Sequence, residues 1–399
     1  MAGANPAPRS GRRRRLRLGM VGGGQGSLIG PVHRAAARLD DHYELAAGCL
    51  ASTPERAAAS AEELGIAPER SYPSFALMAE RERERDDPVD VVAIVTPNHL
   101  HFPVAKAFLE AGFDVICDKP LTSRLEDALA LAELVERSGR VFVLTHNYTG
   151  YPLVRQARAM IADGALGPIR MIHVEYPQDW LATPLERQGV AQAEWRLDPE
   201  RAGLGGCTGD IGTHAINLAC FVTGLELLRV AADLTAFVPG RRLDDNVNAL
   251  LRFSGEARGI LWASQIAVGN ANNLRLRVYG EKGGLAWSQE EPNHLEFAPL
   301  GEPPRRIPRA GPYAAAGAVR ATRLPDGCPE GFFEAFATIY SDAAALIRAR
   351  AEGRPPDPAA RLLPSVHDGV AGMRFIQAVV ESSMASGGWV AVSPPPDGG

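Results

Sequence analysis

The stretch LGMVGGGQGSLIGPVH, residues 18–33, decides the fold. A short apolar run suited to a buried strand passes straight into a glycine cluster, and an amphipathic helix follows. Glycines at a strand-to-helix turn let the backbone approach a pyrophosphate closely, and the N-terminus of the helix beyond offers free N–H groups and partial positive charge. A glycine turn alone is common. This one opens a series of strand–helix units, which is the context a dinucleotide-binding loop requires. Gly22, Gly24, Gln25 and Gly30 are therefore candidate nucleotide contacts.

Working outward, further apolar runs follow: ELAAGCL (44–50), VDVVAIV (89–95), DVIC (114–117) and VFVLTH (141–146). Most show no polar alternation, as expected of strands buried on both faces of a parallel sheet. Helix signals lie between them. Thr53-Pro54-Glu55 places an N-cap, a first-turn proline and an acid in order. Ser123 and Glu126 have capping-box spacing, and Gly112 and Gly139 sit where helices close. Repeated strand–helix units predict an α/β domain over 16–146 with a doubly wound parallel sheet. After residue 147 the order changes. A helix (152–163) leads to a strand (169–176), then a short helix (210–223). Strand-like runs then come in succession, at 226–238, 246–253, 258–268, 274–279 and 284–288. This predicts an α+β domain over 147–392 with an open, mostly antiparallel sheet. Within 258–268, Ile260, Trp262, Ile266 and Val268 alternate with Gly259, Ala263 and Gln265. Residues 300–330, rich in Pro, Gly and Ala, are expected to form a long loop before two closing helices, 330–351 and 364–385.

Length and composition bound the rest. The chain has 399 residues, 46% hydrophobic and 22% charged, which suits two globular domains. The net charge of -5 gives no electrostatic reason to seek nucleic acid. No apolar run reaches membrane-spanning length. The five cysteines (Cys49, Cys117, Cys207, Cys220, Cys328) are odd in number and widely spaced. That argues against a disulfide framework or a structural zinc site, and suits a reducing cytoplasm. No metal is expected. RRRRLR at 12–17 reads as part of a disordered basic tail over 1–15 rather than an export signal, because the apolar stretch after it is cut short by glycines. Residues 393–399 (SPPPDGG) read as a second tail.

Three constellations carry chemistry. An acid placed about 20 residues beyond the glycine loop holds the ribose hydroxyls in NAD-binding folds. Here the run 44–50 is followed by Ala51, Ser52 and Thr53, with Arg56 one helical turn on. The missing carboxylate favours NADP slightly over NAD. The run 89–95 ends in Thr96-Pro97-Asn98-His99-Leu100-His101 and the run 114–117 in Asp118-Lys119-Pro120, with Asn147 and Tyr148 beyond 141–146. All lie at the strand ends where open parallel sheets bind ligands. Thr96, Pro97, Asn98, His101, Asp118, Lys119 and Asn147 are candidate cofactor contacts. The third constellation is GGCTGDIGTH, 205–214, which sets Asp210 and His214 four apart, on one face of a helix. Gln178, Asp179, Trp180 and Trp195 precede it. Polar tips beside aromatic faces suit a sugar pocket, and these four with Tyr148 are candidate substrate contacts.

Taken together, the glycine loop with G-x-x-H, T-P-N-x-x-H, the lysine–proline step and G-D-x-x-x-H resemble the Gfo/Idh/MocA oxidoreductases over about residues 16–390. QDW at 178–180, Trp195-Arg196 and GDIGTH are most similar to its inositol-dehydrogenase-like and levoglucosan-dehydrogenase-like members. The resemblance implies an N-terminal Rossmann domain, a nicotinamide cofactor, a sugar or polyol substrate, and pairing into a homodimer or homotetramer through the open face of the second sheet. Arg275, Arg277, Tyr279, Leu250 and Arg252 would line that face. It also implies Lys119, Asp210 and His214 as the catalytic group. His214 would take the hydroxyl proton, Lys119 would stabilise the reacting oxygen, and Asp210 would orient a neighbouring hydroxyl. Two departures stand out: the glycine loop is longer by about Gly26-Ser27-Leu28, and the glutamate of the family's E-K-P is Asp118. The alternatives within the same fold are an NAD-dependent glycoside hydrolase and a non-catalytic dinucleotide sensor.

Overall fold

A computed structural model describes residues 14–392. Its first layer is built from β1 (Leu16–Gly22), α1 (Gly30–Leu39), β2 (Tyr43–Cys49), α2 (Pro54–Glu63), α3 (Phe75–Arg83), β3 (Val91–Val95), α4 (His101–Glu110), β4 (Asp114–Cys117), α5 (Leu125–Ser138) and β5 (Phe142–Leu144). The five strands form one sheet in the order β2-β1-β3-β4-β5, and every pair is parallel. Val91, Val92, Ala93 and Ile94 have no exposed surface at all, which is why their run carries no polar alternation. The strand order reverses between β1 and β3. That switch point opens a crevice at the C-terminal edge, where such sheets take ligands.

The second layer begins with α6 (Pro152–Ala162) and β6 (Ile169–Pro177), then α7 (Ala191–Arg196), α8 (Pro199–Ala202) and α9 (Thr213–Thr223). Seven strands follow: β7 (Leu227–Thr235), β8 (Asn246–Phe253), β9 (Arg258–Ser264), β10 (Arg275–Gly280), β11 (Gly283–Ser288), β12 (His294–Pro299) and β13 (Arg305–Pro308). Then come α10 (Ala316–Ala321), α11 (Phe332–Ala351), α12 (Val366–Met384) and β14 (Val390–Ala391). The nine strands run β13-β12-β11-β10-β6-β9-β8-β7-β14 and are antiparallel except for the β6–β9 pair. In β9 the buried side is Gly259, Leu261 and Ala263, while Ile260 is 45% exposed.

α11 returns to the first layer. Its Phe336, Ile339, Tyr340 and Ile347 share one apolar cluster with Leu18, Met20, Val91 and Ala93. Tyr43 donates to the Tyr340 carbonyl at 2.8 Å, and Arg323 pairs with Asp40. Tyr43 and Tyr340 are 297 positions apart, so no local signal in the sequence marks the contact.

Three expectations need correction. Residues 300–330 are not one loop: β13 and α10 lie within them. β13 is an edge strand with two exposed arginines, and α10 is a short helix of small residues, so neither shows a strong apolar period. β12 also goes unmarked in the sequence; only Leu295 and Phe297 alternate inward there. The strand expected over 258–268 stops at Ser264, and Val268 is 81% exposed. Residues 1–13 and 393–399, read above as tails, lie outside the described residues. Arg14 and Arg15, assigned to the basic tail, are engaged: Arg14 makes a two-point contact with Asp90 at 2.8 Å, and Arg15 pairs with Asp41. No helix among the described residues is long and apolar enough to cross a membrane.

Candidate active site

A cleft of about 910 Å³ runs from the glycine loop across the edge of the parallel sheet to residues 178–201 and α9. At one end, Gly30 starts α1 against Gly23, so closely that a Cβ on Gly30 would sit 2.2 Å from the Gly23 carbonyl oxygen. Gly30 thus works from behind the loop and does not line the cleft. Its N–H is accepted by Ser27 Oγ at 3.0 Å, which anchors the longer loop at the helix start. Gly22, Gly24, Gln25 and Gly26 line the cleft directly. At the end of β2, Ser52 and Arg56 line it. Thr53 does not; its hydroxyl caps α2 by accepting from Arg56 N at 3.4 Å.

Along the sheet edge, Thr96, Pro97, Asn98, Asp118, Lys119, Asn147 and Tyr148 line the cleft. His101 is fully buried beneath them, its ring nitrogens 2.7 Å from the Pro120 carbonyl and 3.0 Å from that of Thr96. It ties two strand ends together and does not face the cleft. Asp118, the departure from the family's glutamate, accepts from Lys119 N at 2.8 Å and from Thr145 Oγ at 3.0 Å. Its other oxygen is 3.8 Å from His33 Nε2, and His33 in turn meets the Tyr340 hydroxyl at 2.8 Å. Burial alone would raise the Asp118 pKa, but His33, Lys119 and His101 together hold it well below the ordinary range. Thr96 Oγ and Asn147 Nδ2 are buried in the wall with no partner among the described residues. Unsatisfied buried polar atoms are costly, so a ligand's polar atoms are the natural complement.

The glycines at 205–206 exist for packing: a Cβ on Gly206 would lie 2.3 Å from the Asp244 carbonyl oxygen. The Asp244 carboxylate accepts from Gly206 N, Thr208 N and Thr208 Oγ, each at 2.7 Å. The chain then makes a π turn over Thr208–Gly212 before α9, where an α-helix was expected from residue 210. Such turns break the regular carbonyl ladder, and here the Asp210 carbonyl accepts from Lys119 Nζ at 2.7 Å. Lys119 Nζ also donates to Asp210 Oδ1 at 2.8 Å. Asp210 Oδ2 meets Gln265 Nε2 at 2.9 Å and Arg196 Nε at 3.3 Å. Burial would raise the Asp210 pKa, but Lys119 and Arg196 hold it well below the usual carboxylate range.

His214 lines the cleft beside this cluster and is 7% exposed. Burial, with the Lys119 charge and His146 adding to it, lowers its pKa well below the ordinary histidine value. It is a neutral imidazole at pH 7. Asp210 and His214 do not hydrogen-bond each other; each faces its own partners. Gln178, Trp180 and Trp195 also line the cleft, whereas Asp179 does not and accepts from Gly269 N at 3.0 Å. The Arg196 guanidinium stacks 4.2 Å from the centre of the Trp195 ring. Tyr148 and Tyr176 share a short hydroxyl contact, and Tyr176 donates to Asn272 Oδ1 at 2.6 Å, where Gln178 also donates. Arg196, Gln265, Tyr176 and Asn272 had no role in the sequence reading. Arg196 does stand in the Trp195-Arg196 pair that carries part of the family likeness; the others reach the site only through the fold.

Residues 16–157 match the oxidoreductase family with an NAD-binding Rossmann fold, and residues 154–286 match the GFO/IDH/MocA C-terminal domain. The chain belongs to the Gfo/Idh/MocA family of oxidoreductases. The crystal structure of an oxidoreductase from Sinorhizobium meliloti is similar at 52% identity and TM-score 0.85, covering 95% of this chain and 100% of that one. An inositol dehydrogenase homolog complexed with NAD+ from Azotobacter vinelandii is 37% identical with TM-score 0.90, covering 95% and 97%. Levoglucosan dehydrogenase of Pseudarthrobacter phenanthrenivorans is 31% identical over 71% of this chain and 76% of its own length.

Proposed function

We propose that this chain is an NAD(P)-dependent dehydrogenase that oxidises a secondary alcohol of a sugar, anhydrosugar or inositol-like polyol, with His214 as base. The observation that carries the proposal is the Lys119–Asp210 contact at 2.8 Å, which unites the edge of the parallel sheet with the segment before α9 beside His214. The likeness to an inositol dehydrogenase homolog and to levoglucosan dehydrogenase supports the substrate class. The glycine loop, the start of α1 and the two unpartnered wall atoms suit a dinucleotide. The nicotinamide, when bound, accepts the hydride. Among this chain's own residues, Lys119 donates to the reacting oxygen and stabilises the negative charge that builds there. Neutral His214 takes the hydroxyl proton. Asp210 balances Lys119 and Arg196 and orients a neighbouring hydroxyl. The tryptophans at 180 and 195 offer ring faces to C–H groups. Ser52 and Arg56, with no acid at the end of β2, favour NADP over NAD. We further infer a homodimer or homotetramer paired through the outer face of the nine-stranded sheet, acting in the cytoplasm.

The test is a panel of inositols, anhydrosugars and pyranosides with each nucleotide, read at the nicotinamide absorbance. The proposal expects reduced nucleotide to accumulate with at least one of them. Product formation with no net reduced nucleotide would instead indicate the glycoside hydrolase, and nucleotide binding with no turnover the sensor.

A further inference from the structure

Behind His214 lies a second imidazole that this chemistry does not use. His146 lies two residues beyond β5, is 2% exposed and does not line the cleft, whereas His214 does. The two Nδ1 atoms are 3.4 Å apart, with ring centroids 5.2 Å apart and planes at 82°. Nδ1 is thus the nitrogen that His214 turns away from the cleft, and Nε2 is the one left for a substrate.

A hydrogen bond between two Nδ1 atoms needs one proton, so one ring donates and the other accepts. In the neutral pair either arrangement is possible. Only one survives proton transfer. When His214 holds the substrate's proton it carries hydrogen on both nitrogens, so its Nδ1–H must donate and His146 must accept. If His146 donated instead, His214 would show an N–H to the cleft and could take no proton there. Protonating it would then set two N–H groups against each other. The arrangement with His146 as acceptor serves both states without moving either ring.

We propose that His146 is a positioning residue: its unprotonated Nδ1 accepts from His214 Nδ1–H and keeps the Nε2 lone pair of His214 aimed at the substrate hydroxyl. The inference rests on the reading of His214 as the base. It gives His146 the part that a carboxylate plays beside other catalytic histidines. Among the described residues no carboxylate is hydrogen-bonded to either ring. The charged groups near the pair are Lys119 and Asp118, and the Tyr148 and Tyr176 rings pack against His214 at 4.8 and 6.4 Å. Burial keeps both phenols neutral by raising their pKa values. Burial and the Lys119 charge push the His146 pKa down to about 3, so it stays a neutral acceptor throughout the working range. The proton balance is simple. With an oxidised nicotinamide bound, the C–H hydrogen would be transferred to it as hydride, the substrate's O–H proton would pass to His214 Nε2, and the carbonyl would form. The Nδ1 proton never leaves His214.

The experiment uses the full chain, labelled with 15N-histidine and saturated with nucleotide. Two-bond 1H–15N correlations read the tautomer of each ring, and spectra of His146→Phe and His214→Gln assign the two signals. The expected result is His214 protonated at Nδ1 and His146 at Nε2; the reverse overturns the proposal. In turnover, His146→Phe should lower kcat by about tenfold to a hundredfold with nucleotide affinity unchanged, while His146→Asn, whose Oδ1 can accept, should recover most of the loss. Equal losses in the two variants would contradict a positioning role. If His146→Phe fails to bind nucleotide, the wild-type spectrum and the Asn variant decide. Should no polyol be turned over by the wild type, the functional reading fails, and the tautomer spectrum still judges the histidine pair separately.

Discussion

Replacing Lys119 by Met removes a charge while keeping a chain of similar length. Its two hydrogen bonds, at 2.7 and 2.8 Å, both go to Asp210. In the variant Asp210 keeps Gln265 at 2.9 Å and Arg196 at 3.3 Å, so its carboxylate is not stranded and the protein should still fold. Catalysis should suffer far more. Losing one donor to a developing oxyanion costs about 3 kcal/mol, on the order of a hundredfold to a thousandfold in kcat. A second effect follows at His214. Burial is the largest cause of its low pKa and the Lys119 charge the next, and both disfavour the imidazolium. Removing the charge leaves burial in place, so the His214 pKa should rise while staying below 6.5. The acid limb of kcat/KM should therefore move to higher pH in Lys119→Met. The assay is initial rate at the nicotinamide absorbance across the acid and neutral range, with a substrate proven on the wild type. Turnover within about tenfold of wild type would refute the role given to Lys119. An acid limb that does not move would refute the electrostatic coupling to His214.

Arg56→Ala should lower the NADP-to-NAD affinity ratio by about tenfold, the scale of one charge-assisted hydrogen bond, and calorimetry with both nucleotides checks it; an unchanged ratio removes the preference for NADP. Ile260 and Leu250 are 45% and 53% exposed on the outer sheet face, so Ile260→Glu should split the proposed homo-oligomer, and light scattering that gives a monomer mass for the wild type would contradict pairing there. Stability should fall in acid. His146 titrates at about 3 in the folded protein against 6.5 when unfolded, and His214 also lies below its ordinary value, so below 6.5 the unfolded chain binds more protons. Asp118 and Asp210, both held low, add to the loss as the pH falls through the carboxylate range. Thermal melts should show Tm highest above about pH 6.5 and declining below it, and a flat profile would contradict the buried neutral histidines.

Much of this arrangement is written locally. The unbroken apolar run at 91–95 marks a strand covered on both faces, and its burial agrees. Glycines at 22–30 mark a turn whose backbone must come close, and Gly30 against Gly23 is such an approach. What was not legible depends on contacts between distant segments. Gln265 meets Asp210 from 55 positions away, and His146 meets His214 from 68, so no spacing rule could have joined them. The π turn at 208–212 was missed because four-residue spacing reads as α-helix by default. His101, Thr53 and Asp179 share the composition of a ligand site but spend their polar atoms on the backbone, as an isolated sequence cannot reveal.

In the proposed nicotinamide-dependent oxidation His214 takes the substrate's proton, and His214→Ala removes that base. Because His214 is assigned to the substrate, calorimetry should find nucleotide affinity close to wild type. Turnover of the polyol that the wild type oxidises should drop by about a hundredfold or more. A His214→Ala enzyme that reduces nucleotide at the wild-type rate would show that His214 is not the base.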